Sequence, residues 1–204
     1  MRPRSEPSSW SEQFPDLFAP QHPTYAAHVD LQFSLAAPPP ELVSRIHLLG
    51  RCDGGVVVCA SDAPADAVLP PGHTGWRFLP GGTREPGETV EQQLDREIAE
   101  EAGARRTGPW SFFGAHHALN PGERPYRPHL PHPVAYWAYA IAEVELVGPP
   151  TNPDDGEQVT EVQVLSPAEA VAYLAEYDPI HADVVRLADA MGLLGPTSGG
   201  TAVS

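Results

Sequence analysis

One stretch of this chain admits a single local structure: GGTREPGETVEQQLDREIAEEAGA, residues 81–104. Thr89 followed by Gln92 forms a capping box, and Gly103 stands where a helix terminus favours a left-handed residue. These signals predict a helix over about 89–102. Val90, Leu94, Ile98 and Ala102 recur at four-residue spacing and should form its buried stripe. Glu97, Glu100 and Glu101 lie beside that stripe, at the edge of a core. Residues three and four apart on a helix are neighbours, so Glu97 meets both other carboxylates, at a cost of a few tenths of a kcal/mol per like-charge pair.

A charge run on a helix is ordinarily a solvated face. Here the carboxylates repel one another and call for a cation, and the chain is short of them: 27 Asp and Glu stand against 12 Arg, with no Lys and a formal charge of −15. A divalent cation is the better partner. Mg²⁺ takes carboxylate oxygens and keeps its remaining positions for waters and substrate phosphates. The same acidity argues against extended nucleic acid or an anionic membrane as partner, since both require basic surface.

At 204 residues the chain suits one domain with extensions. Residues 1–24 and 195–204, rich in Pro, Ser or Gly, read as loosely ordered arms around a domain spanning 25–194. No apolar run reaches membrane-helix length, and the amino terminus lacks a signal-peptide apolar segment. Cys52 and Cys59 fall in strand-like sequence and read as reduced core residues, which fits a cytoplasmic setting.

VDLQFS reads as a first strand, and RIHLLGRCDGGVVVCAS as a hairpin turned by Asp53-Gly54-Gly55. WRFLPGG leads into the helix. WSFFGAHHAL and VAYWAYAIAEVELV read as strands joined by a Pro- and His-rich loop, and EVQVLS as a last strand. SPAEAVAYLAEY opens with the capping box Ser166/Glu169 and Pro167 at the first helical position, and DPIHADVVRLADAMG supplies a final helix. Strands interleaved with a few helices predict a mixed α/β domain.

Gly82, five residues, Glu88, seven residues, then Arg96-Glu97-Ile98-Ala99-Glu100-Glu101-Ala102-Gly103-Ala104 fills every fixed position of the Nudix hydrolase signature, which the chain therefore resembles. The resemblance implies an α/β/α sandwich around a mixed sheet. It also implies cleavage of a nucleoside diphosphate linked to another group, using Mg²⁺ or Mn²⁺ and water. ADP-ribose or another nucleoside diphosphate sugar is the first expectation, a nucleoside triphosphate the second. Carried onto this chain, Glu97, Glu100 and Glu101 are metal ligands, joined by the carbonyl of Gly81 or Gly82. Glu88 and Arg96 are their supports, Arg96 lying four residues before Glu100. The general base is Glu101 or, on the loop before the last strand, Glu157 or Glu161. A nucleotide-sensing domain without turnover is the alternative, and both monomers and homodimers occur among such proteins.

Other residues carry weaker signals. Trp76 and Phe78 could stack on a nucleobase, although core packing is the commoner fate. Tyr126 and Arg127 sit on a long loop of the kind that touches substrates. His116, His117, His129 and His132 lack a zinc-ligand spacing and read as polar loop residues.

Overall fold

Strand β2 (Val43–Cys52) shows how the layers are arranged, because it is buried on both faces. Ile46 and Leu48 pack with Val57 and Cys59 beneath helix α3 (Val90–Ala102), whereas Leu49 packs with Val56 and Val58 against α4 (Pro167–Ala175) and α5 (Pro179–Ala190). Helices on both sides account for the burial of Val43, Ile46, Leu48, Leu49 and Cys52 along this strand, whose Arg45, His47 and Arg51 are only partly covered. The computed structural model describes residues 9–22, 29–63, 72–153 and 158–195.

Eight strands among the described residues form one mixed sheet. β1 (Asp30–Ser34), β6 (Ala104–Leu119) and β7 (Val134–Leu146) pair antiparallel, and β7 lies parallel to β2. β3 (Gly55–Asp62) returns from β2 through Asp53 and Gly54, whose positive φ values of 48° and 80° supply the turn. This hairpin is closed only at Arg51–Val56 and Cys52–Gly55. Beyond those pairs the two strands part, and residues 75–83 fill the split: β4 (Gly75–Phe78) pairs with β3, and β5 (Gly81–Thr83) pairs with β2. β8 (Val159–Leu165) takes the other edge of β3. The chain thus delivers Gly81 and Gly82 into the opening of the sheet, directly before α3. The expected α/β/α sandwich is the architecture observed.

Helix α3 begins at the Thr89 cap, with reciprocal bonds between Thr89 and Gln92, and ends at Gly103 in the left-handed region, φ 57°. Its stripe of Val90, Leu94, Ile98 and Ala102 is buried. The strand beginning near Trp110 is longer than the sequence implied: it starts at Ala104 and stays paired to β7 through two irregularities, between Arg106 and Trp110 and between Phe112 and Gly114.

The expected loose arm over 1–24 needs correction within its described part. Trp10–Gln13 (α1) and Pro15–Phe18 (α2) each form one helical turn, the first capped by Ser9 and Glu12. Leu17 is completely buried in the cluster that holds α4 and α5. A Pro- and Ser-rich composition hid this because a few apolar groups, Leu17 with Trp10, Phe14 and Phe18 beside it, suffice to dock so short a piece. No helix among the described residues is long and apolar enough to cross a membrane.

Candidate active site

The segment Leu79-Pro80-Gly81 is held from both sides before it reaches α3. The Leu79 N–H donates to His181 Nδ1 at 3.3 Å, and His47 Nδ1–H donates to the Leu79 carbonyl at 3.2 Å. The Pro80 carbonyl accepts from the Leu48 N–H at 2.8 Å. Burial pushes both imidazoles down to about 3, so they are neutral and each can present the required face to the peptide. Asp178 Oδ2 lies 3.1 Å from His181 Nδ1, and burial raises its carboxyl, favouring a protonated partner for a nitrogen that already accepts from Leu79.

Gly81 and Gly82 then meet the acidic helix. The Gly81 N–H donates to Glu101 Oε2 at 2.7 Å. A Cβ on Gly82 would sit 2.6 Å from Glu97 Oε1, so the carboxylate occupies the space a side chain would fill. The Gly82 carbonyl accepts from Gln93 Nε2 at 2.8 Å. Gln93 is fully buried on the α3 stripe, a polar position that went unremarked in the sequence.

Arg96 draws the rest together. Its Nε and Nη2 donate to Glu88 at 2.7 and 3.1 Å, its Nη1 donates to Glu100 at 2.9 Å, and its Nη2 lies 3.0 Å from Glu97. Nη2 also donates to the Thr83 carbonyl at 3.1 Å. Glu88 closes the turn by accepting from the Glu85 N–H at 2.7 Å. Three carboxylates therefore share one guanidinium. Its charge is insufficient for Glu97, which is 5% exposed: burial drives its carboxyl up to about 7, and the Glu100 and Glu88 charges add to the rise against the pull of Arg96.

Among the described residues no three His, Cys, Asp or Glu groups already stand as a cage for a metal ion. The donors nevertheless fit one. They are oxygens, the choice of a hard divalent cation, and the deficit of positive charge at Glu97 is what such an ion would correct. Admitting it requires the carboxylates to turn away from Arg96.

The other expected residues separate. Tyr126 is 69% exposed and borders a cavity beside Thr83, while Arg127 pairs with Glu85 at 2.7 Å, fastening the 120–133 loop to the turn before α3. His129 Nε2 donates to the Arg84 carbonyl at 2.8 Å and supports the same docking. Phe78 packs into the core under α3, and Trp76 sits across from Ser61 on β4. Val162 and Val164 face α3, so Glu161 lies on the opposite face of β8, where it accepts from the Tyr173 hydroxyl at 3.2 Å; the sheet separates it from the carboxylate cluster. Glu157 is outside the described residues. His116 departs from its reading as a loop residue: it is a wholly buried strand residue, 3.3 Å from the Tyr139 hydroxyl, with an Nε2 lacking a hydrogen-bond partner among the described residues.

Comparison with known proteins agrees with this layout. A Nudix domain model matches residues 48–188. A Nudix hydrolase from Nitrosomonas europaea is similar in structure at a TM-score of 0.51 with 18% identity, over 73% of this chain and 90% of that one. A mutant of the Bacillus subtilis pyrophosphohydrolase BsRppH is similar at 0.53 with 16% identity, over 86% and 99%. At these identities the structures speak for the fold alone. No curated protein matches by sequence. With a domain match across more than half its length and the glycine turn, acidic helix and mixed sheet in place, the chain belongs to the Nudix family.

Proposed function

We propose that this Nudix protein is a metal-dependent hydrolase that cleaves the phosphoric anhydride of a nucleoside diphosphate linked to another group. The observation that carries the reading is the convergence of Glu88, Glu97 and Glu100 on Arg96, with Glu101 bound to the Gly81 N–H on the same turn. Glu97, Glu100 and Glu101 would hold Mg²⁺ or Mn²⁺, with the Gly81 carbonyl as a further donor. Such an ion neutralises phosphate oxygens and lowers the pKa of bound water.

The chain's own residues do the rest. Arg96, itself held by Glu88, orients Glu97 and Glu100, since the guanidinium stays charged and its fork fixes their direction. The Gly81 N–H fixes one oxygen of Glu101, leaving that buried carboxylate oriented to take the proton of an attacking water. The peptide clamp at Leu79 holds that N–H in place. The buried thiols of Cys52 and Cys59 suit a reducing, cytoplasmic compartment.

The test is product release from a panel of nucleoside diphosphate sugars, dinucleotides and nucleoside triphosphates, with Mg²⁺, Mn²⁺ or chelator, comparing the native chain with Glu101→Gln. Metal-dependent cleavage of one class, reduced at least about a hundredfold by the substitution, is expected. Intact nucleotide binding with no turnover across the panel would instead show a sensing domain.

A further inference from the structure

Arg45, like Arg77 and Arg84, is not spent on a carboxylate among the described residues: Arg77 lies over Tyr173 and Tyr177 and Arg84 bonds the Pro40 and Glu41 carbonyls, whereas Arg45 lines a cavity. Twelve Arg face 27 acidic residues, and Arg51, Arg96, Arg105, Arg106, Arg127 and Arg186 each hold a carboxylate. Arg45 holds none among the described residues. Its Nε donates to Thr83 Oγ1 at 3.4 Å, and its guanidinium lies 4.8 Å from the centroid of the Trp137 ring. Strand register explains the arrangement: Thr83, Arg45 and Trp137 are cross-strand partners on β5, β2 and β7, one continuous row.

This row borders a cavity of about 120 Å³ under the 120–133 loop, otherwise walled mainly by apolar groups such as Ala118, Leu130, Pro133 and Ala135. Of its other polar side chains, Tyr126 is largely exposed and Ser44 and Asn120 are already engaged. The Ser44 hydroxyl donates to the Tyr136 carbonyl, and Asn120 bonds the Arg124 carbonyl and the Gly122 N–H. The cavity adjoins the carboxylate cluster through a single residue, because the Thr83 carbonyl accepts from Arg96 while its hydroxyl meets Arg45. A larger groove of about 290 Å³ beside α3 differs in this respect: its Arg106 is held by Asp95 and Glu91, and its Arg105 by Glu145.

We propose that this cavity receives the heterocycle of the nucleotide and that Arg45 selects a base whose edge carries only acceptors, a 6-oxopurine. The proposal rests on the hydrolase reading of the neighbouring cluster only in taking the ligand to be a nucleotide. Apolar walls suit a flat ring, and a few convergent polar groups set its orientation. A guanidinium only donates, in a planar fork. The O6 and N7 edge of guanine offers it two acceptors, whereas adenine sets an amino donor where one acceptor should be. Stacking on Trp137 and the bond to Thr83 hold the fork in one plane before any ligand arrives.

The experiment is calorimetric titration of the full chain with GMP, IMP and AMP, none of which contains an anhydride to cleave, with and without Mg²⁺. GMP and IMP should bind at least about tenfold more tightly than AMP. Arg45→Met, which keeps an apolar chain over Trp137, should bring all three to the AMP level, and Arg45→Lys should restore the preference only in part. Equal binding of the three by the native protein overturns the proposal, as does a preference that survives Arg45→Met. IMP behaving like AMP also overturns it, because the 2-amino group would then be the feature read. The native comparison decides even if a variant fails to fold. Loss of the hydrolase reading in the cleavage panel with the 6-oxo preference intact leaves this inference standing, and cleavage without the preference removes this inference alone.

Discussion

Gly81 and Gly82 are adjacent, and they are glycine for different reasons, which makes them separable by substitution. At Gly82 the three atoms nearest an added methyl all belong to the carboxylate of Glu97, the far end of a side chain, at 2.6–2.8 Å. At Gly81, with φ +149°, it meets the backbone of Ile46 and His47, the strand to which β5 is paired. Gly82→Ala should therefore leave the thermal midpoint nearly unchanged while displacing Glu97 and weakening Mn²⁺ binding by about tenfold or more. Gly81→Ala should break the β2–β5 pairing and lower the midpoint itself. Mn²⁺ titration followed by paramagnetic resonance, beside a melting curve for each variant, distinguishes the two; a large drop in midpoint for Gly82→Ala would show that the space is structural rather than reserved for the carboxylate. The acids and Arg96 were legible in the sequence because they lie within two turns of one helix, where spacing alone fixes which side chains meet. Arg45 and Trp137 were not, since they meet only through the register of β2 with β7, separated by 92 positions along the chain.

The elements that sequence reading located best are those that carry their own punctuation. Helix α3 has a capping box and a left-handed glycine, the β2–β3 hairpin has Asp53-Gly54, and α4 has Ser166, Pro167 and Glu169. Their limits depend on local chemistry, so a local reading finds them. The split of WRFLPGG into β4 on β3 and β5 on β2 has no such marker; it follows from the parting of two strands, a tertiary event. The one-turn helix α2 is a similar case, made stable by burial of Leu17 rather than by propensity, since an isolated turn does not persist in water. Leu17→Ala should accordingly cost about 2–5 kcal/mol, the range for a buried leucine. For a chain of this size that is a fall of roughly 4–20 °C in thermal midpoint. A calorimetric scan of the variant checks it, and an unchanged midpoint would mean that the amino-terminal turns are ornamental to the fold.

Across the whole molecule, one face of the sheet carries a set of neutral imidazoles whose influence on stability is global. Burial, as the first cause, holds His47, His116 and His181 down to about 3. In the unfolded chain each titrates near 6.5. As pH falls below 6.5 the unfolded state takes up protons that the folded state refuses, so the stabilisation is complete above 6.5 and is lost on the way down toward 3. Each histidine contributes at most ~1.4 kcal/mol per pH unit to that slope. Glu97, raised to about 7, and Asp178, also raised, act in the opposite sense, because the folded protein keeps their protons at pH values where the unfolded chain has released them. Three groups against two leave a net proton uptake on unfolding that grows as the unfolded histidines fill, so stability falls toward the acid end of the interval from about pH 6.5 to 5. A divalent ion held by Glu97, as proposed, would strip its proton in the folded state, so the slope should be steeper with Mg²⁺ than with chelator. His116→Phe removes one imidazole and its orphaned Nε2 while keeping a ring among Phe33, Phe113 and Tyr139. That variant should lose up to one proton of uptake toward pH 5 and show a shallower slope than the native protein. Urea midpoints measured in half-unit steps from pH 7.5 to 5, for both proteins and with both metal conditions, give these slopes directly. A native slope no steeper than that of His116→Phe would mean that His116 reaches solvent and titrates in the folded state.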